Sequence, residues 1–239
     1  AVPSREDSGH FTDSSEVAQL TEGGRTKAVK DLLYQQLQLQ ARPLDNWNIT
    51  ANVNYRITNS NGHNEILKAY SYDVDNNPYP LAVGYNAAGY TSVSESNRKD
   101  EYYSTNIFTD YSLRLNDDHN FKFLGGFNSE LNKYRTLAGS MTDLISDNIP
   151  TLNTATLNPL TSGEYQHWAT AGFFGRLNYN YKEKYLFEVN GRYDGSSRFP
   201  RDLRWNLFPS FSAGWNIANE DFWTWDEQIS VFKLRGSYG

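Results

Sequence analysis

The run "GRYDGSSRF", residues 191–199, sets Arg192, Asp194 and Arg198 close together with two serines between them. Guanidinium and carboxylate groups interleaved with hydroxyls can hold a polar ligand through charge-assisted hydrogen bonds. Arg176 and Glu188, on the segments just before, extend the same set. The plainer reading is that these groups pair with one another along a polar wall. A second cluster is aromatic: "AYSYDVDNNPYPLAVGYNAAGYTS" carries Tyr70, Tyr72, Tyr79, Tyr85 and Tyr90. Such rings stack on sugars while Asn and Asp bind the hydroxyls, or they simply pack the loop against itself or against a covering partner.

Metal binding and catalysis find little in these residues. Asp73, Asp75, Asn76 and Asn77 offer closely spaced oxygens, as a calcium loop does. The loop lacks the glycine at its sixth position and the bidentate glutamate at its twelfth, so a solvated turn is the better reading and no cofactor is expected. With no cysteine, thiolate zinc sites and cysteine nucleophiles are excluded. His10, His63, His119 and His167 sit outside any nucleophile-base motif, and Glu220-Asp221 resembles a helix-capping pair more than a glycosidase pair. The expectation is a protein that is not an enzyme.

The elements that must hold these residues show a period of two. In "WNITANVNYRI" the odd positions Trp47, Ile49, Ala51, Val53, Tyr55 and Ile57 are apolar and the even ones polar. The same parity recurs in "LLYQQLQLQA", "YSTNIFTDYSLRL", "FKFLGGFNS", "ATAGFFGRLNY", "YLFEVNGRY" and "LFPSFSAGWNI". Antiparallel partners have position numbers of constant sum, and two facing residues share a face only when that sum is even. Turns centred on Leu44, Asp118 and Glu183 pair Leu39 with Ile49, Leu113 with Phe123 and Tyr179 with Phe187, so each turn preserves the face.

Composition agrees with alternating strands. Aromatic residues make up 15% of 239 residues, with 17 Tyr, yet mean hydropathy is only -0.71. The net charge of -6, without a basic block, excludes nucleic acid as the expected partner. No apolar run reaches the ~18 residues of a membrane helix, but barrel strands cross in about 9–11 residues. Connections alternate between tight ones (42–46, 116–120, 182–184) and long ones (about 59–102, 131–167 and 195–205), the arrangement of outer-membrane barrels. Residues 1–30 are polar and read as a loop remnant, and 219–229 as a short helix at the turn end.

The stretches "FGRLNYNYKEKYLFEVNGRYDGSSRF" (174–199), "WNLFPSFSAGWNIANEDF" (205–222) and "KLRGSYG" (233–239) resemble the SusC/RagA family of TonB-dependent outer-membrane transporters. The resemblance implies an all-β, antiparallel transmembrane β-barrel of which residues 31–239 supply about eight strands out of roughly 22. Plug and TonB-contact segment are not visible among these residues. It further implies the outer membrane of a Gram-negative bacterium. There, oligosaccharides or peptides are imported with a SusD-like surface lipoprotein, through energy that the TonB complex delivers to the plug. Membrane lipid would meet the odd faces, and the even faces would line the path. The alternative from another class is a non-transport surface protein, an adhesin or a glycan-binding β-protein, in which an aromatic platform stays exposed to water.

Overall fold

In the computed structural model, residues 16–239 are described, except 74 and 226. Eight strands form one antiparallel sheet: β1 (Thr26–Leu44), β2 (Trp47–Ile66), β5 (Ser92–Leu115), β6 (His119–Leu144), β7 (Ala155–Tyr181), β8 (Tyr185–Ser196), β9 (Trp205–Asn216) and β10 (Lys233–Tyr238). Their spatial order follows the sequence, with β1 and β10 at the two edges. Two short strands, β3 (Ala69–Tyr72) and β4 (Pro78–Leu81), pair in a hairpin of their own. The all-β antiparallel expectation is met.

The expected parity holds across the tight β7–β8 turn. Register pairs Tyr179 with Phe187, Leu177 with Val189 and Asn178 with Glu188 across β7 and β8. The β7–β8 turn is closed by Lys184 N–H donating to the Tyr181 carbonyl at 2.9 Å. Its central residues Lys182 and Glu183 have φ of 50° and 56°, the pattern of a type I′ turn, which matches strand twist but favours Asn and Gly. Asn116 and Asp117 adopt the same left-handed conformation between β5 and β6.

Parity then reverses at the last strand. Register pairs Leu234 with Trp215, Arg235 with Gly214 and Tyr238 with Phe211, so even positions of β10 share the face that odd positions hold elsewhere. An odd sum of partner numbers has this consequence whatever the side chains.

Three expectations change. Two of the three long connections, 59–102 and 131–167, are mostly strand, while 195–205 remains a loop: β6 and β7 run to 26 and 27 residues, well past the length that crosses a bilayer. Backbone groups pair along the ladder regardless of side-chain polarity, whereas apolar alternation marks only the stretch whose face leaves water. Within residues 1–30, those before 16 lie outside the described residues, and the remainder is not a loop: a short helix, α1, spans Glu16–Glu22 and β1 begins at Thr26. The helix expected at 219–229 reduces to a 3-10 turn at Ile217–Asn219. Its acidic residues are engaged elsewhere, since Glu220 accepts from Trp215 Nε1 at 2.9 Å and pairs with Lys184 Nζ at 3.2 Å.

The chain divides into two compact units. Of the described residues, unit 1 comprises 16–33, 57–100 and 134–166, and unit 2 comprises 34–56, 101–133 and 167–239. Unit 1 contains a small buried cluster of Val93, Leu144 and Ala155, packed by Leu67, Met141 and Leu152. Unit 2 contains the tight turns and nearly all of the two-faced alternation. On β8 and β9 the odd-numbered apolar side chains are exposed, Phe187 at 50%, Val189 at 43% and Leu207 at 65%, while Glu188, Asn190 and Ser212 on the other face are half-buried.

Candidate functional site

The polar face of unit 2 is built from even positions of neighbouring strands, which the pleat stacks into cross-strand rows. One row runs from Arg42 Nε to Asn48 Oδ1 (3.0 Å) and from Asn48 Nδ2 to Asp110 Oδ2 (2.9 Å). A second joins the Tyr34 hydroxyl to Asn54 Oδ1 (2.9 Å) and Asn54 Nδ2 to Ser104 Oγ (3.1 Å). Asparagine suits these positions because one amide both accepts and donates, linking strands on either side.

Four of the residues singled out from sequence fall on this face. Arg176 Nε donates to Asn190 Oδ1 at 2.6 Å, and Asn190 Nδ2 donates to Glu188 Oε1 at 2.7 Å, so arginine and glutamate are joined through an amide. Arg192 grips Asp194 through two hydrogen bonds of 3.0 and 2.9 Å. The same guanidinium reaches Asn128 Oδ1 at 3.2 Å and lies 5.2 Å from the Phe174 ring centre. Asn128 is on β6 and Arg192 on β8, with β7 between them. Gly172 of β7 opens that lane: a Cβ there would sit 3.0 Å from Asn128 Oδ1 and collide with Asp194 Oδ1. Beside this cluster, Ser104, Asn106, Asn128, Glu130 and Arg192 line a concavity of about 400 Å³.

Arg198 is not brought to the same place. It sits beyond β8, its guanidinium 4.8 Å from the Trp168 ring centre. The tyrosines belong to unit 1 and do not form one platform. Tyr70 and Tyr72 share one face of the β3–β4 hairpin, and Tyr79, paired with Ser71, takes the other. Tyr85 is fully exposed, and Tyr90 N–H donates to the Ala87 carbonyl at 3.0 Å.

The acidic loop satisfies itself. Asp73 Oδ1 accepts from the backbone N–H of Asn77 (2.8 Å) and Asp75 (2.9 Å), and Oδ2 accepts from Asn77 Nδ2 (3.1 Å). Those bonds, the Asn77 backbone first, hold the Asp73 carboxyl below its ordinary range. Among the described residues no group of three or more acidic or histidine side chains is placed to hold a metal.

A larger concavity, of about 960 Å³, lies on the polar face of unit 2 toward the turns. Strands β5 and β6 contribute Arg114 and Lys122, and β10, four places further along the sheet, contributes Lys233 and Arg235. Sequence reasoning did not single out these residues. Arg114 and Lys122 are even-numbered and polar, a signal within reach. Lys233 and Arg235 are odd-numbered and reach the polar face only through the reversed register of β10.

Comparison with known proteins gives a consistent picture. The family model described as "TonB dependent receptor-like, beta-barrel" matches residues 4–239. TonB-dependent receptor P26 of Formosa agariphila is 38% identical over 135 residues, 54% of this chain and 13% of that protein. TonB-dependent receptor SusC of Bacteroides thetaiotaomicron is 48% identical over 67 residues, 28% of this chain and 7% of that protein. Among solved structures, the RagAB peptide importer in its open-open state superposes with a TM-score of 0.75 at 19% identity, covering 90% of this chain and 22% of that chain. The chain therefore spans a small part of the length of the relatives it matches.

Proposed function

This chain belongs to the TonB dependent receptor-like β-barrel family, and from that membership we propose that it supplies part of the wall of an outer-membrane nutrient importer. The family is one of receptors and transporters rather than enzymes. In this reading the odd faces of unit 2 meet lipid and the even faces line the path of oligosaccharides or peptides. A SusD-like surface lipoprotein covers the outer opening, and the TonB complex drives uptake through parts of the protein beyond these residues.

The inverted burial of unit 2 carries the reading. Along β8 and the second half of β9, exposed Phe187, Val189, Phe211 and Trp215 alternate with half-buried Glu188, Asn190, Ser212 and Asn216, as on strands whose outer face meets hydrocarbon. Aromatic residues mark the ends of these stretches, with Trp47 and Tyr55 on β2, Tyr185 and Tyr193 on β8, and Trp205 and Trp215 on β9. That placement suits the two interfaces of a bilayer, where a ring meets hydrocarbon and its polar atom meets water.

The test uses the complete polypeptide in outer membranes, with single cysteines introduced as Phe187→Cys and Glu188→Cys. Phe187→Cys is expected to react with a membrane-phase maleimide and resist an aqueous one, and Glu188→Cys to behave in the opposite way. Equal aqueous labelling of both would overturn the barrel-wall reading.

A further inference from the structure

We infer that the connection between β9 and β10, residues 217–232, is a membrane-surface anchor. It is a compact loop on the outer side of the barrel wall that sinks its aromatic side chains into the boundary between headgroups and acyl chains. Its partner is the zwitterionic phospholipid of the leaflet at the turn end. The inference rests on the barrel-wall reading and adds to it a lipid contact that no strand makes.

Composition sets this connection apart. The turns at 45–46, 116–118 and 182–184 consist of polar residues only, whereas "IANEDFWTWDEQISVF" carries Phe222, Trp223, Trp225, Ile229, Val231 and Phe232. Phe222, Trp225, Val231 and Phe232 are exposed. The loop is closed on itself. Ile217 N–H donates to the Phe232 carbonyl at 2.8 Å, and Ile229 N–H to the Trp225 carbonyl at 2.7 Å. Trp223 stacks on Phe232 with ring centres 5.3 Å apart and donates from Nε1 to the Ile229 carbonyl at 3.2 Å. Ends held together around the loop's own side chains make a shaped surface rather than a tether.

Contacts with the neighbouring strands fix the side on which it lies. Trp215 is paired with Tyr185 on the odd-numbered face, and Leu234 of β10 continues that face opposite Trp215. Phe222 packs edge-on against Trp215, with ring centres 6.4 Å apart. Glu220 accepts from Trp215 Nε1 and, with Asp221, holds Lys184 Nζ of the β7–β8 turn at 3.2 and 2.9 Å. The loop is therefore clasped to the face that carries the exposed apolar side chains, where it extends one contiguous apolar surface. Both indole N–H groups, of Trp215 and of Trp223, already have protein acceptors, so these rings can leave water without losing a hydrogen bond. Charge names the lipid. Residues 217–232 contain acidic groups and neither Lys nor Arg, so an anionic headgroup offers them no attraction and ring burial must supply the contact.

The experiment uses the complete protein, with any other cysteine removed, in phosphatidylcholine vesicles. Phe222→Cys, Val231→Cys, Phe187→Cys and Asp45→Cys each carry a nitrobenzoxadiazole label, challenged by doxyl-phosphatidylcholine in the bilayer and by iodide in the water. Residue 187 is the reference for depth, and residue 45, in an exposed tight turn, the reference for water. Labels at 222 and 231 are expected to be quenched most by a doxyl group near the headgroup, and to be about threefold less sensitive to iodide than the label at 45. If Phe222→Cys does not insert, Trp225→Cys takes its place. Replacing part of the phosphatidylcholine by phosphatidylglycerol should leave the pattern unchanged, and labels that sink only with the anionic lipid would overturn the proposal. Protection of 222 and 231 from both quenchers would overturn it as well, by assigning the loop to a protein partner. Lipid quenching at 187 with iodide quenching at 222 and 231 equal to that at 45 sinks this inference alone. Full iodide quenching at 187 sinks the barrel-wall reading with it.

Discussion

In unit 1, Val93, Leu144 and Ala155 are buried beneath Leu67, Met141 and Leu152, and charge is exposed or paired around them. In unit 2 the relation is turned over on β8 and β9, with Phe187, Val189, Leu207 and Phe211 exposed and Glu188, Asn190 and Ser212 half-buried. The same sheet carries both arrangements, because β1, β2, β5, β6 and β7 each contribute residues to both units. Backbone pairing is therefore indifferent to the medium, and side-chain pattern alone states which medium each stretch was selected for.

The largest expected effect tests that inversion directly. Val189→Arg, in the middle of β8, should cost about 2–4 kcal/mol in a bilayer, whereas Leu160→Arg on exposed β7 of unit 1 should stay within about 0.5 kcal/mol. Urea unfolding of the complete protein in lipid vesicles measures both, and similar costs would erase the distinction between the units. Asn190→Arg, a tempting control on the opposite face, is unsuitable because Asn190 bridges Arg176 and Glu188.

A second test concerns packing on the apolar face. The Trp205 indole covers Gly195 of the neighbouring strand and stacks on Tyr193 with ring centres 5.1 Å apart. A Cβ at residue 195 would lie 2.6 Å from that indole. Gly195→Ala should cost about 1–3 kcal/mol by forcing the ring away, with a shift in tryptophan fluorescence. In unit 1, Gly163→Ala has only ordinary contacts to meet, 3.6 Å from the Thr136 carbonyl oxygen, and should be far milder.

Smaller still is the effect of turn chemistry. Glu183 occupies a left-handed position without being glycine. Glu183→Gly should stabilise the β7–β8 hairpin by about 1 kcal/mol, read as a higher urea midpoint with unchanged slope.

The smallest effect belongs to unit 1 and separates it by pH. His63 Nδ1 lies 2.6 Å from Glu95 Oε1 and its Nε2 3.1 Å from Glu65 Oε2, while Arg25 Nε also reaches Glu65 at 3.2 Å. Hydrogen bonds to Glu95 and then Glu65 raise the imidazole pKa above 6.5. A raised folded-state pKa gives stability that is fully present below the unfolded value and is lost as pH rises through the folded one. Amide hydrogen exchange at residues 57–66 should therefore quicken as pH increases across that window beyond the ordinary base-catalysed trend, and His63→Asn should remove the excess. Residues 185–193 of unit 2 should show no such excess.

How far the sequence announces this arrangement follows from what period two encodes. The pairing of Tyr179 with Phe187 and the even-sum turns are legible, because one face of β7 and β8 leaves water and its side chains must be apolar. The extension of β2 through "NSNGHNEI" and of β5 back to Ser92 is not, because the residues there are polar on both faces apart from single positions such as Val93 and show no apolar alternation. Arg192 and Asp194 are legible as a pair, but the reach of Arg192 to Asn128 on β6 depends on the vacancy at Gly172 of the intervening strand β7. The basic concavity brings residues of 114–122 beside residues of 233–237, and only the curl of the sheet joins them.

The reversed parity of β10 treats the chain as a message with a two-letter frame. Across Lys182–Lys184 the frame is kept, so inserting one residue in that turn would exchange inside for outside in everything that follows. Between Asn216 and Lys233 the frame is already shifted once. Natural variation in this connection is expected to come in steps of two residues, and a relative with a one-residue difference there should carry its apolar letters at the opposite positions of the strand beyond.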